Sequence, residues 1–530
     1  MLRRSVFPLS LLAALVALAG CPGGNAGLGD SCSGNDDCNG ALQCLTNRCV
    51  PRCARAPECG DGYACGDDGL CEPARGQSGE HCRSEVDCAA GLSCQIDGAT
   101  KGDDGLLLAS CTDEHAERAA GDECDADNEC RNGTCALGHC TDLCRDTRDC
   151  GTNMQCVRVP LATANDAMFT GCLPFQGKVT WSIPVLSPSA EVLIPMPENA
   201  RSAELVMSLD DATQKVGAAR VLSPARTGTR LYTVPCAPSS EPGGTPCTAS
   251  EALDRYFENP ILHQPAPLQS VLLFPSGSTP ALEIGTYRVQ VSSFQPDGTT
   301  GTGIPRVTAV VRLDGGEATA PRTLDLHFYF LDLANHPCEA MGAADTPAVL
   351  SGSYLAGLRT VFFRANIVIG SVTHQTITDR PELDTLDTRN LEDVGALLSL
   401  GTSGDGINVF FVRALSPAGL QAWSPNPGPA GLGGTRRSGV VIGMDTLCYR
   451  DWPALARLTA HQIARYMGLY HNVELGSAKH PLWRDPIDDG DTGATNLMYF
   501  SELSGASELP SGLEITAGQA DILRRSAALQ

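Results

Sequence analysis

The stretch TAHQIARYMGLYH, residues 459–471, places histidines and a glycine at spacings that could do chemistry. His461 and position 465 are four residues apart, so on a helix both side chains leave the same face one turn apart. Gly468 can adopt the positive φ that turns a chain sharply, and such a turn would bring His471 back towards His461. Imidazoles at all three places would make an open metal site, and a carboxylate at 462 would serve it as general base towards a metal-bound water. The sequence instead has Gln462 at the base position and Arg465 at the second ligand position.

Both replacements strike what the chemistry needs. A glutamine amide has no basic carboxylate to take a proton, and losing a general base costs about 10²–10⁴ in rate. A guanidinium stays protonated and offers no lone pair to a metal. Held about 4 Å from a divalent zinc it would be repelled by on the order of 8 kcal/mol at an effective dielectric of 20. Arg465 therefore excludes the metal unless it turns away. Glu474, His480, Asp485 and Asp488 follow in the chain. His480 or Asp485 could bend in as a replacement ligand, or Glu474, Asp485 or Asp488 could pair with the guanidinium, whose fork suits a buried carboxylate. The bland alternative is that Arg465 reaches solvent.

The elements that must position these residues can be read around them. A helix is expected from about Pro453 to Met467, with proline at its start and Gly468 where the chain leaves it. Leu324, Leu326, Phe328 and Phe330 alternate as a strand, AGLRTVFFRANIVIG (356–370) reads as a helix running into a strand, and INVFFV (407–412) and GVVIG (439–443) read as short buried strands. Thr516 and Gln519 form a capping box that opens a last helix. Cys338 and Cys448 are the only cysteines of this segment and are expected to pair.

At this point the residues resemble the metzincin metallopeptidases, whose motif H-E-x-x-H-x-x-G-x-x-H is followed by a methionine turn. His461, Gly468 and His471 match that motif, and NLMY (496–499) looks like the methionine turn, with Met498 at the place beneath the metal. INVFFVRAL, GLGGTRRSGVVIG and LEITAGQADILRR resemble flanks of bacterial, pappalysin-like members, so the likeness extends over residues 321–530. The resemblance implies an α/β (α+β) metzincin-like domain, and zinc as its cofactor if the site still functions. With Gln462 and Arg465 in place, it implies a catalytically inactive pseudopeptidase that binds peptides or proteins. Two alternatives stand beside it: an active zinc metalloendopeptidase with non-standard ligands, and a purely structural surface protein.

The N-terminus bears on location. Arg3 and Arg4 followed by an apolar run from Val6 to Ala19, too short to span a bilayer, read as a signal peptide over residues 1–20. Leu18-Ala19-Gly20-Cys21 resembles the lipobox of bacterial lipoproteins, in which the cysteine is acylated. Acyl chains add about 0.8 kcal/mol of membrane affinity per buried CH₂, so Cys21 would anchor a protein that spans nothing. The expected location is the bacterial cell envelope, at the outer membrane or cell surface, since Pro22 rather than an aspartate follows Cys21. A formal charge of −23 excludes nucleic acid as a partner, because phosphate would be repelled.

The 25 cysteines of an exported chain point to an oxidising compartment. Twenty of them fall into five sets of four: 32/38/44/49, 53/59/65/71, 82/88/94/111, 124/130/135/140 and 144/150/156/172. In every set five residues separate the first two, which marks an internal repeat. Few large apolar residues accompany them, so disulfides must replace a core; zinc is the weaker reading because no C-x₂-C knuckle is present. Each set allows three connectivities.

From residue 175 to 320 alternating runs at 190–196, 202–209, 268–274, 285–294 and 305–313, separated by Gly, Pro, Ser and Asp clusters, read as a β-sandwich. Cys236 and Cys247 bracket a loop in it and are expected to pair. Gly431, Gly433 and Gly434 read as a turn rather than a phosphate loop, and His327 and His374 as structural. The chain thus reads as multidomain: signal peptide 1–20, lipidated linker 21–31, cysteine-rich repeats 32–172, β-sandwich 175–320 and metzincin-like domain 321–530.

Overall fold

The computed structural model describes residues 30–34, 37–39, 42–45, 48–51, 63–65, 71–73, 76–89, 91–163, 166–225, 227–234, 261–277, 281–316, 320–331, 333, 335–338, 350–475, 482–487, 493–499 and 512–530. Residues 1–20, expected as a signal peptide, and Cys21, Cys236, Cys247, His480 and Asp488 lie outside these residues. Contacts divide the chain into two compact units, residues 1–77 with 86–89 and residues 78–85 with 90–530. Among the described residues no helix is long and apolar enough to cross a membrane.

In the first unit the hairpin Leu42–Leu45 with Arg48–Pro51 brings Cys44 opposite Cys49, and the bridges are Cys32–Cys44 and Cys38–Cys49. In the second unit the bridges Cys82–Cys94, Cys124–Cys135, Cys130–Cys140, Cys144–Cys156 and Cys150–Cys172 follow. Every described bridge within the four-cysteine sets joins first with third or second with fourth cysteine, in each set but 53/59/65/71, of which no bridge is described. The reason is local: the third and fourth cysteines face each other across a hairpin, as Cys135 and Cys140 do, so each must turn to a partner outside it. Buried sulfur stands in for a hydrophobic core, with Cys49, Cys94, Cys111, Cys130 and Cys144 all fully buried. Closing a loop of this size contributes about 3 kcal/mol per bridge.

Residues 176–314 form two antiparallel sheets. One takes β1 (Gln176–Ile183), β9 (Arg306–Asp314), β3 (Ala200–Ser208), β7 (Gln269–Phe274) and β6 (Leu262–His263) in that spatial order. The other takes β2 (Ser189–Met196), β8 (Gly285–Phe294), β4 (Lys215–Leu222) and β5 (Arg230–Thr233), with Ala266–Pro267 also paired to β4. His263 ties them together. Its Nδ1–H donates to the Val271 carbonyl at 2.9 Å, and its Nε2 accepts from the Ala218 amide of the opposite sheet at 2.9 Å.

Residues 322–443 form a third sheet, in the order β11 (Ile367–Ile377), β10 (Arg322–Leu331), β12 (Ile407–Val412), β14 (Val440–Gly443) and β13 (Ala422–Trp423). Its pairs are parallel except that of the edge strand β13. Alternation sends Leu324, Leu326, Phe328 and Phe330 to one face, against α1 (Leu355–Phe363) and α3 (Trp452–Tyr466). Tyr329, Leu331, Phe410 and Val412 face the other way, against α2 (Leu391–Leu398). A short last helix, α4 (Ala517–Arg524), opens on the capping box of Thr516 and Gln519, and Cys338 is bridged to Cys448.

The third sheet and the first antiparallel sheet share a core, since Val310 of β9 packs into the cluster containing α3 and α4. The Arg312 guanidinium donates to the Leu529 carbonyl, Ser202 Oγ donates to the Arg525 carbonyl at 2.6 Å, and Lys178 pairs with Asp405 at 2.8 Å.

Burial lowers the His263 pKa to about 4 from an ordinary 6.5. The unfolded chain therefore binds the proton first, so His263 supports the fold fully above pH 6.5 and loses that support as pH falls towards 4. Relative to a His263→Gln variant, the native chain should lose roughly 3 kcal/mol of stability between pH 7.5 and 4, read by denaturant unfolding at each pH. A difference that does not change with pH would contradict the neutral, buried imidazole.

Candidate functional site

The helix that carries the motif starts where Asp451 caps it, its side chain accepting from the Ala454 amide at 2.9 Å, with Pro453 in the first turn. It ends one residue before Met467, and Gly468 then takes φ +104°. A Cβ at Gly468 would stand 2.1 Å from Leu273 Cδ2 of β7, so glycine is required by conformation and by space. Tyr470 completes this contact by packing with Leu262 and Leu273. The antiparallel sheet thus presses on the turn that aims His471.

The turn brings the two imidazoles together: His461 Nε2 and His471 Nε2 are 3.2 Å apart, with ring centroids 5.1 Å apart and planes inclined by 24°. His461 Nδ1 lies 2.8 Å from the Leu497 carbonyl, which can only accept, so Nδ1 carries the proton and Nε2 of the neutral ring presents a lone pair. His471 Nε2 accordingly donates in this pair. Two nitrogens bound to one tetrahedral zinc at 2.0–2.1 Å would be separated by about 3.3–3.4 Å, so these two positions fit a metal.

Leu497 belongs to the NLMY segment, which is tied at both ends. Met498 is fully buried; its amide donates to Asn496 Oδ1 at 2.7 Å, and its carbonyl accepts from the Asn472 amide at 3.1 Å. Asn496 Nδ2 donates to Gln519 Oε1 at 2.9 Å. Gln519 Oε1 also accepts from the Thr516 amide at 3.2 Å, so the residue that caps α4 also holds the turn supporting His461.

Gln462 and Arg465 are taken up by the segment 424–430, which follows edge strand β13 and straps the last turn of α3. Ser424 Oγ donates to Gln462 Oε1 at 2.7 Å. An Arg465 Nη2–H donates to the Asn426 side-chain oxygen at 3.0 Å, and the Asn426 amide donates back to the Arg465 carbonyl at 3.0 Å, with the Asn426 amide oriented as these partners require. The Gly428 amide donates to the Tyr466 carbonyl at 2.9 Å, and Tyr466 Oη donates to the Pro429 carbonyl at 3.2 Å. The Gly428 amide thus serves a carbonyl that the helix end leaves open, while the Arg465 carbonyl also accepts from the Gly468 amide at 3.0 Å. Behind the strap, Glu204 of β3 is buried, and desolvation holds its pKa well above the ordinary value against the Ala430 amide and Lys178, which lower it.

His461, Gln462, Arg465, His471 and Met498 thus lie around one turn. Among the described residues, groups of three or more metal-capable side chains occur only among the cysteine sets that form disulfides. Asp485 makes no such group with the two histidines; the Glu474 side chain, His480 and Asp488 lie outside the described residues. The described donors fit two positions of a zinc site and do not complete it. Ser424 and Asn426 are contributors that the sequence did not announce, because nothing in the spacing of SPNPGP relates it to a helix some 40 residues on. His327 and His374 sit elsewhere on the third sheet, His327 Nδ1 at 2.8 Å from Thr373 Oγ1 and His374 against Phe328.

No family model matches the chain, and no curated protein matches it. Among solved structures a weak neighbour is a metallopeptidase, mirolysin in complex with compound 9. It is 14% identical, with a TM-score of 0.25, over 38% of this chain and 91% of that one.

The Arg465–Asn426 bonds predict a coupling of about 1 kcal/mol or more in a double-mutant cycle of Arg465→Met and Asn426→Ala, read by denaturant unfolding. Additive effects would place the guanidinium elsewhere. Gly468→Ala should cost roughly 2–5 kcal/mol through its positive φ and the clash with Leu273. A companion Leu273→Ala should recover the part due to the clash.

Proposed function

We propose that the chain is a lipid-anchored envelope protein, held by Cys21, whose C-terminal part is a metzincin-like domain that binds polypeptide without cleaving it. The observation that carries this reading is the strap: the side chains at the base and second-ligand positions are engaged by Ser424 and Asn426. Gln462 accepts a hydrogen bond through its oxygen and has no carboxylate to activate water. Arg465 brings a fixed positive charge where a ligand would be needed. The end of α3 and its turn do not depend on a metal for their position, because the strap, the NLMY segment and β7 hold them from three sides. Edge strand β13, antiparallel to β14 and leading straight into Ser424, offers an extended segment beside which another chain can lie.

A second reading has its own support. The 3.2 Å between the two Nε2 atoms suits a shared metal, so an active zinc endopeptidase needs one further ligand and a different base.

The two part on one experiment with the full chain. The native protein is expected to retain a reduced, alkylated polypeptide without cleaving it and to purify without zinc, whereas Gln462→Glu with Arg465→His should acquire about one zinc per chain by elemental analysis. Stoichiometric zinc with cleavage by the native chain would establish the second reading. Failure to retain any unfolded polypeptide would leave a structural surface protein.

A further inference from the structure

Away from the histidines, a pocket of about 230 Å³ opens between the first antiparallel sheet and α4. Arg201 at the start of β3 forms one wall, and Arg524 and Arg525 at the end of α4 form another; Asp314 and Asp521 also line it. The carboxylates are already claimed. Asp314 is paired with buried Arg322 and accepts from the Gly316 amide at 2.9 Å, and Asp521 is paired with Arg525 and lies 3.9 Å from Arg524. Arg312, two residues before Asp314 and 2% exposed, adds a further guanidinium behind the wall, spent on the Leu529 carbonyl.

Among the described residues five guanidinium groups thus stand against two carboxylates, in a chain whose formal net charge is −23, with Arg524 and Arg525 also donating to the Ala365 and Gly277 carbonyls at 3.1 and 3.3 Å. Arg201 is the group left over. One of its Nη2–H groups donates to the Gly316 carbonyl at 3.1 Å, and among the described residues no carboxylate pairs with it. A guanidinium without a carboxylate on the wall of a partly closed pocket is a place where an anion gains more than water can.

Pro275, Ala281 and Leu282 supply an apolar side. The volume equals about eight waters at ~30 Å³ each, which is more than a compact inorganic anion fills. We infer that this pocket binds a small organic carboxylate with a short aliphatic body, its charge on Arg201 and the α4 arginines and its body against Pro275 and Leu282.

The test is titration calorimetry on the full chain with N-acetyl-leucine, N-acetyl-leucinamide and inorganic phosphate as probes. N-acetyl-leucine should bind saturably at one site and raise Tm. The amide, which lacks the charge, should bind at least about tenfold more weakly, as should N-acetyl-leucine to Arg201→Gln. Leu282→Glu, which leaves every arginine in place, should weaken the carboxylate similarly by repulsion. The inference is overturned if no probe binds saturably, if the amide matches the acid, or if phosphate binds and the acid does not. It is also overturned if cooperatively folded Arg201→Gln and Leu282→Glu both keep the acid's affinity within twofold.

Discussion

The turn at Gly468 is the constraint on which the candidate site depends. Its φ of +104° reverses the chain after α3, and the absence of a side chain lets Leu273 of the neighbouring sheet lie where a Cβ would be. With that contact the sheet around β7 becomes part of the site: it fixes where Tyr470 packs and so where His471 points. A second support enters through Gln519, Asn496 and Leu497 to His461, and the strap at 424–430 closes the third side. Three separate parts of the chain converge on one helical turn, so the 3.2 Å meeting of the imidazoles is imposed from outside as much as by the motif.

Against that rigid frame the two replacements acquire a physical role. In a metal site, ligand and base must face the metal with lone pairs available. Here the Gln462 oxygen takes a proton donor from Ser424, and the Arg465 fork is matched to an amide that returns a hydrogen bond to the backbone of the same residue. The helix end is thereby tied to the strap by the Asn426 side chain at the Arg465 carbonyl and by the Gly428 amide at the Tyr466 carbonyl. What a metal would contribute by cross-linking residues, the strap contributes by hydrogen bonds of about 1 kcal/mol each.

Much of this was legible in the sequence, for definite reasons. Alternation at 285–294 and at 324–330 is a period-two signal, and strands Gly285–Phe294 and Arg322–Leu331 stand there. Pro453, Gly468, and the Thr516 and Gln519 pair are local punctuation, and the helix and capping box follow them. Strands Gln176–Ile183 and Lys215–Leu222 were not legible, because GKVTW and KVGAAR mix small and polar residues whose burial depends on distant partners. Disulfide connectivity was equally hidden in the spacing and becomes plain only with the hairpin register of cysteine against cysteine. For the site, positions 461 and 465 could be placed from helix geometry, and 471 from the turn that Gly468 permits. The Asn426 partner of Arg465 could not, since a loop contact across so many residues has no periodic trace.

The central claim is that Arg465 belongs to the strap and keeps a metal from completing the histidine pair. The most direct measurement is a crystal structure of the full chain soaked in zinc, with anomalous data collected on both sides of the zinc edge. The account predicts the Arg465–Asn426 bonds intact and no anomalous peak between His461 and His471. A fully occupied zinc bound to both imidazoles, with Arg465 displaced from Asn426, would contradict it.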